Sequence, residues 1–196
     1  MPNFRLPELP DSSRELLERV VPPPNRPPLL YLAMAANTEI LRQYVEGPIL
    51  SLRGLLHTGQ LSPGDRELVI LRVTARRGAE HGWGVHVAYF GKTSGLAPSQ
   101  VEATATDAEP TPPWSARQSA TIALADAVAD VRALTNEQQR QIDDALDDAE
   151  RVEILAVASQ YLGISAICNV LAIPTEPGAP KMPQPTPLRA QEPRTS

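Results

Sequence analysis

The stretch LSPGDRELVILRVTARRGAEHGWGVHVAYFGKTSGL, residues 61–96, decides the fold because it combines a helix start, an apolar run and glycine stops. Ser62-Pro63 is typical of a helix N-terminus, with serine as the cap and proline in the first helical position. The apolar run at 68–71 by itself fits a buried strand as well as a helix. The start signal and the length of the segment predict a helix over 66–77, and a second helix is predicted over 79–93.

The same helical periodicity continues through the rest of the chain, without a convincing strand. Further helices are predicted over 12–20, 29–36, 38–59, 97–103, 114–131, 135–147 and 150–172. Thr38 is expected to cap the helix that it opens, and Pro48 to kink that helix rather than end it. Thr135 and Gln138 form a capping box at the start of another helix. Six to eight helices and no strand predict an all-α fold.

Proline is concentrated at both ends of the chain. Of the 21 prolines, eight lie in 1–28 and seven lie in 174–196. Because proline removes a backbone donor and clashes inside a helix, residues 29–173 are predicted to form the helical domain. The first segment is expected to be a proline-rich arm with one short helix. The last segment has few apolar residues, and we expect it to be disordered or to lie across a neighbouring subunit.

Composition excludes several classes of function. The chain has 196 residues and a net charge of −5, which argues against a nucleic-acid-binding protein. A single cysteine excludes an internal disulfide, a cysteine-cluster zinc site and a redox Cys-x-x-Cys pair. No apolar signal segment is visible at the N-terminus. Polar residues interrupt the apolar stretch at 154–173, so it is interpreted as a buried helix rather than a membrane span. A cytoplasmic protein without nucleic-acid or membrane partners is expected.

The predicted helix over 79–93 carries the residues with chemistry. At about 100° per residue, Ala79, Gly82, Trp83 and His86 fall on one face of this helix. His86 beside small residues has room for a ligand. His81 is about 140° away from His86 and shares its face only if the helix begins irregularly. The three histidines of the chain are too spread out for a convincing metal site.

Two motifs in this region resemble a known family. The first is Arg66-Glu67 at the start of one helix, and the second is the run AEHGWGVH at 79–86. Together they resemble the carboxymuconolactone decarboxylase family, which includes the AhpD-like alkylhydroperoxidases. Residues 37–42 and 161–171 resemble its outer helices more loosely, so the resemblance spans most of 30–173. It implies an AhpD-like array of helices, with homo-oligomers that are trimers or hexamers.

The chain departs from the redox-active members of this family. Those members carry Cys-x-x-Cys-x-x-x-His, with a glutamate twelve residues before the first cysteine. Alignment on His86 places the cysteines at Ala79 and Gly82 and the glutamate at Glu67, so the glutamate and histidine are kept and both thiols are missing. Peroxide reduction needs an attacking thiolate and a resolving thiol. The peroxide-reductase reading is therefore disfavoured, and Cys168 has no nearby cysteine.

What remains is proton transfer. Because the unperturbed pKa of an imidazole lies near neutrality, His86 suits a general acid or base. Glu67 is expected to orient it or to shuttle a proton to it, and His81 is a third catalytic candidate. Trp83, Arg72, Glu80 and Asn169 are the candidates for substrate binding, and Arg76 or Arg77 is an alternative to Arg72 for holding a carboxylate. The resemblance implies a lyase or isomerase that needs no metal or organic cofactor and acts on a small unsaturated or lactone carboxylic acid.

Structural interpretations stand beside these functional ones. His86 is equally an interior histidine whose hydrogen bonds are satisfied, and Glu67 equally an ion-pair partner of a nearby arginine. Trp83 is equally part of the core. Tyr161, Ser165 and Asn169 share one helical face, where they line a cavity or bind backbone groups. The functional alternative is a non-catalytic binding or assembly protein on the same fold.

Overall fold

The computed structural model describes residues 4–47, 50–51, 54–106 and 114–183, and over these residues it is helical without strands. Ten helices follow in order: α1 (Asp11–Val20), α2 (Leu29–Met34), α3 (Thr38–Val45), α4 (Leu55–Thr58), α5 (Pro63–Arg76), α6 (Glu80–Phe90), α7 (Pro98–Ala103), α8 (Ala116–Ala129), α9 (Asn136–Ala145) and α10 (Asp148–Val170). The all-α prediction is confirmed. The number of helices is higher than the six to eight expected, partly because the segment predicted as one helix over 38–59 contains both α3 and α4.

The prediction of a continuous helix over 38–59 was wrong. α3 ends at Val45, and the backbone is not helical at Gly47, Ser51 or Gly54. A Gly-Pro pair stops a helix here because glycine is a poor helix former and proline lacks the N–H that the next turn requires. Pro48 itself lies outside the described residues.

Three helices form the centre of the molecule, since α5, α8 and α10 each pack against the other two. Val69 and Ile70 of α5, Ala125 of α8, and Ile154 and Val157 of α10 are fully buried there. Burial of an aliphatic side chain of this size stabilises the fold by about 1.5–3 kcal/mol. α6 packs on the outside of α5 and also contacts α10.

α10 is long and apolar enough to cross a membrane, judged by its length and composition alone. In this structure 44% of its most apolar window is buried inside the protein, as in the central helix of a helical array. Its buried Glu153 accepts hydrogen bonds from the backbone N–H groups of Gln60 and Leu61. This carboxylate therefore fixes the loop that leads into α5.

Side-chain caps set several helix starts. Ser62 caps α5 and Thr135 caps α9, which confirms both predictions. α3 is capped by Asn37 rather than by Thr38 as predicted, because the Asn37 side-chain oxygen accepts hydrogen bonds from the backbone N–H groups of Glu39 and Ile40. The Thr38 hydroxyl bonds Ser13 of α1 instead, at 2.8 Å.

Both proline-rich segments contribute to the folded structure. Leu16 and Leu17 of α1 are buried in the main core, so the N-terminal segment is more than an arm. At the other end, residues 174–183, called the C-terminal strap below, pack along α6. A β-carbon at Gly84 of α6 would lie 2.7 Å from a strap carbonyl oxygen, so only glycine fits there. The disorder predicted for this segment is wrong for the strap, and the remainder of the predicted tail lies outside the described residues.

Candidate functional site

The turn between α5 and α6 places their polar residues face to face. Gly78 makes this turn with a φ of 62°, a left-handed conformation that favours glycine. The two helices then approach closely, because a β-carbon at Gly82 would lie 3.1 Å from the Thr74 methyl group. As a result Glu67 of α5 and His86 of α6 meet inside the protein.

A buried chain of hydrogen bonds joins three helices. His86 Nδ1 lies 2.8 Å from a carboxylate oxygen of Glu67, and His86 Nε2 lies 2.9 Å from the hydroxyl of Tyr161 on α10. The carboxylate can only accept, so Nδ1 carries the proton and donates it. Nε2 of the neutral ring is then a lone-pair acceptor for the Tyr161 hydroxyl. The order Tyr161–His86–Glu67 is that of an activated hydroxyl, a base and an orienting carboxylate.

Tyr161 is held in its protonated form. Burial raises its pKa well above the ordinary value of 10.0, and the negative charge of Glu67 adds to the rise. The phenol of Tyr31 raises this pKa further, whereas the positive charge of Arg66 opposes the rise. Tyr161 is therefore a hydrogen-bond donor at neutral pH and not a phenolate.

A cavity of about 600 Å³ adjoins this chain of hydrogen bonds, and we call it the inner cavity. Its wall is mostly aliphatic and aromatic. It holds all three histidines of the chain and four of its eight aromatic residues: His57, His81, His86, Tyr31, Tyr89, Phe90 and Tyr161. Arg19 and Glu46 also line it, and they form an ion pair with each other. This volume and lining are those of a small-molecule site.

His81 lies between the inner cavity and a second one of about 560 Å³, the outer cavity. Its Nδ1 lies 2.8 Å from the carbonyl oxygen of Pro174, the first residue of the strap. A carbonyl only accepts, so Nδ1 donates this proton and Nε2 is left as the second polar atom of the ring. The structure thus brings His81 to the wall of the same cavity as His86.

Two predicted substrate-binding residues lie elsewhere. Arg72 makes a bidentate pair with Asp126, at 2.7 and 3.0 Å, and also bonds the backbone of Thr104. Five residues separate Arg72 from Glu67, which turns its side chain about 140° away from the site toward α8. Trp83 is buried in a second apolar cluster and donates its indole N–H to the Thr104 hydroxyl. Neither residue is found among those lining the two cavities.

Glu80 and Asn169 line the outer cavity rather than the inner one. The Asn169 side chain donates to the backbone carbonyl of Arg77 at 2.7 Å. Arg76, the alternative anion holder, pairs with Asp130 at the surface. The interpretation that these residues bind the same substrate as His86 is not supported by their positions.

Some residues of the inner cavity were left open or missed by sequence reasoning. Tyr161 was left open because its helical face fits either a cavity wall or a backbone contact. Tyr31 was missed, since α2 carries no motif and lies far from the other site residues along the chain. His57 was interpreted only as a residue at a helix C-terminus, and it does lie in the last turn of α4.

Near His86, the described residues include neither a pair of thiols for redox chemistry nor a cluster of metal ligands. The two positions that hold thiols in redox-active relatives are occupied by Ala79 and Gly82. Cys168 lines the outer cavity, and burial raises the pKa of its thiol to about 12, which leaves little thiolate at neutral pH. No group of three or more histidine, cysteine, aspartate or glutamate side chains among the described residues is arranged to hold a metal ion.

Comparison with known proteins agrees with the motif. Residues 48–127 match the sequence model of the Carboxymuconolactone decarboxylase family. The matched segment runs from α4 into α8 and contains Glu67 and His86, whereas Tyr161 lies beyond it. No curated protein and no solved structure matches the chain.

Proposed function

We propose that the chain, whose residues 48–127 match the sequence model of the carboxymuconolactone decarboxylase family, is a cofactor-independent lyase or isomerase that works by proton transfer. The observation that carries this proposal is the buried sequence of hydrogen bonds from Tyr161 through His86 to Glu67, at 2.9 and 2.8 Å. It ends at a cavity of ligand size. Tyr161 and His86 both line that cavity, so both are within reach of a bound molecule.

The roles follow from the protonation states. The Tyr161 hydroxyl first moves from Nε2 to the substrate oxygen on which negative charge will develop. The lone pair of His86 Nε2 is then free to take a proton from a substrate carbon, and the imidazolium that forms is stabilised by Glu67 at Nδ1. The imidazolium then returns its proton to another carbon. The product is an isomer, or a protonated fragment when carbon dioxide leaves first.

A peroxide-reductase role is disfavoured on chemical grounds. That reaction needs an attacking and a resolving thiol, and the corresponding positions hold Ala79 and Gly82. The remaining thiol, Cys168, lines the outer cavity, and its raised pKa makes it a poor nucleophile. The alternative function is a protein that binds a small molecule without converting it. The following experiment distinguishes this alternative from an enzyme.

The test is proton exchange on simple substrates. A panel of cyclic β,γ-unsaturated ketones and unsaturated lactones is incubated in D₂O, and deuterium uptake and double-bond migration are followed by NMR. We expect the wild type to catalyse exchange and His86→Ala to lose about 100-fold or more, the usual contribution of a general base. Tyr161→Phe should lose activity as well. Its matched control is Tyr44→Phe, because Tyr44 packs on the main core outside the inner cavity.

An unchanged rate in His86→Ala would contradict the proton-transfer role. Binding of panel members without any exchange in the wild type would favour the non-catalytic alternative.

We also propose that the chain forms a homo-oligomer. The outward face of α10 supports this, because Val152 and Val170 are 66% and 80% exposed and Leu155 is 40% exposed. An exposed apolar surface on one helix is where a partner would be expected to bind. A second copy of the chain is the partner that the family resemblance implies.

A further inference from the structure

We propose that the inner cavity selects an uncharged, planar, unsaturated compound with one carbonyl or hydroxyl oxygen, and that it rejects carboxylates. This inference rests on the proposed function, since it concerns the substrate of the same site. The proposed ligand differs from the carboxylic acid substrate that the family resemblance implies.

The first argument is the charge of the cavity wall. Among the described residues that line it, Arg19 and Glu46 are the ones with a permanent charge, and they neutralise each other. Their ion pair is also exposed, with two thirds of the Arg19 side chain in solvent. A carboxylate deeper in the cavity would lose its hydration, which is costly, and Arg19 is the one described lining residue with a permanent positive charge.

The second argument is the charge behind the wall. Glu67 lies 2.8 Å from His86, so an anion placed against His86 would also meet the negative charge of Glu67. Arg72 and Arg76 are bound to aspartates on the α8 side. The positive charge of Arg66 reaches Tyr161, but Arg66 does not line the cavity.

The third argument is the shape and chemistry of what remains. Tyr31, Tyr89, Phe90 and Tyr161 offer ring faces and edges, which pack well against a planar unsaturated ligand. Burial raises the pKa values of Tyr31 and Tyr161, so both hydroxyls stay protonated. Tyr31, and Tyr161 once its hydroxyl turns from His86 Nε2 to the ligand, are donors for a carbonyl oxygen. A cavity of about 600 Å³ accommodates a compound of one or two rings.

This selection has a consequence for the reaction. Loss of carbon dioxide requires a carboxylate on the substrate, and that is the group the wall is least able to hold. Of the two reaction classes proposed above, double-bond isomerisation of a neutral carbonyl compound therefore fits the cavity, and decarboxylation does not.

The experiment compares two ligands of nearly equal shape, 2-acetylnaphthalene and 2-naphthoate, with the full chain at pH 8. Binding is measured by naphthalene fluorescence and by ligand-observed NMR, so no turnover is required. We expect the ketone to bind at least tenfold more tightly than the carboxylate. Val85→Trp, which fills the cavity from α6, should abolish binding, whereas Ala88→Trp on the exposed side of the same helix should not.

Tighter binding of 2-naphthoate, lost again in Arg19→Gln, would overturn the inference, because Arg19 would then exchange Glu46 for the ligand. Failure of both compounds to bind would overturn it as well. The two proposals fail separately: selective binding of the ketone together with an unchanged exchange rate in His86→Ala would contradict the catalytic role alone.

Discussion

The chemistry of Tyr161 and His86 depends on the groups around each side chain. The two ring nitrogens of His86 have different roles. Glu67 accepts the proton of Nδ1, and the neutral ring accepts the Tyr161 hydroxyl at Nε2, so Nε2 is the nitrogen that can act as a base. The edge-to-face contact between the His86 and Tyr161 rings, with centroids 5.0 Å apart, keeps this geometry in place. The base and the donor are therefore positioned before any ligand arrives, which reduces the cost of reaching the transition state.

The protonation of these tyrosines is testable by alkaline titration. At 295 nm, Tyr31 and Tyr161 should ionise above the ordinary tyrosine pKa of 10.0, because burial raises the pKa of both. Tyr161→Phe should remove the last step of the titration, whereas Tyr89→Phe, at an exposed position, should leave that step in place.

The same shifts set a pH dependence of stability. A folded-state pKa above the unfolded value of 10.0 means that the folded state holds its proton more tightly. The free energy of unfolding should therefore be unaffected by Tyr161 below about pH 10 and should fall as the pH rises through the folded-state pKa. Tyr161→Phe should show a shallower fall in urea unfolding above pH 10, and an identical slope would contradict the assigned environment.

Sequence reasoning at this scale succeeded where residues share a motif and failed where they do not. The motif within 66–86, through its resemblance to the family pattern, relates Glu67 to His86. Arg72 looked equally suitable as a type of residue, but its position on α5 turns it toward Asp126. Tyr31 carries no local signal, because its contribution depends on where α2 packs.

At the scale of elements, α6 combines the site and the attachment of the C-terminal strap. His81 and His86 line the inner cavity, whereas Gly84 faces the strap. The strap is held at two further points, where Pro174 accepts from His81 and Glu176 accepts the N–H of Leu29 at the start of α2. The strap thereby links α10, α6 and α2, the helices that carry Tyr161, His86 and Tyr31, respectively.

Substitution of Gly84 by alanine tests the strap. Alanine is the better helix former by about 1 kcal/mol, but its β-carbon would lie 2.7 Å from the Pro180 carbonyl oxygen. We expect Gly84→Ala to lower the free energy of unfolding by about 1–3 kcal/mol, the usual cost of overpacking. Urea denaturation measures this change.

The matched control is Ala88→Gly, at an exposed position one turn along α6. It should cost about 1 kcal/mol through helix propensity alone. If Gly84→Ala were instead stabilising by the same amount, the strap would not lie against α6. Trypsin offers a second measurement, since Gly84→Ala should speed cleavage after Lys181.

The helices themselves were largely predictable, because their starts are local. Ser62 and Thr135 cap the helices that follow them, as expected from sequence. The end of α3 at Val45 differs from the continuous helix that was predicted, because the periodicity of apolar residues in the sequence continues beyond this point. Apolar spacing reports which residues are buried, but it does not report whether the backbone between them is continuous.

At the scale of the whole molecule, the exposed face of α10 predicts self-association. We expect light scattering coupled to gel filtration to give a mass above that of one 21.2 kDa chain. Val170→Lys should shift the mass toward the monomer, because a charge on this face must be desolvated in an interface. Ile40→Lys, which also replaces an exposed apolar residue but lies on α3, is the control. A monomeric wild type would contradict the proposal.

By itself the sequence determined the helical class, most helix starts and the absence of the family's two thiols, and it left Glu67 with either His86 or an arginine as its partner. These properties depend on residues close together along the chain, where capping, periodicity and spacing act directly. Only the tertiary structure decided that Tyr161 completes the hydrogen-bond chain, that Arg72 points away and that a proline-rich segment packs on α6. It also decided that the described residues lining the cavity carry one ion pair as their permanent charges, because a cavity wall is assembled from residues on several helices, and no local pattern records how those helices pack.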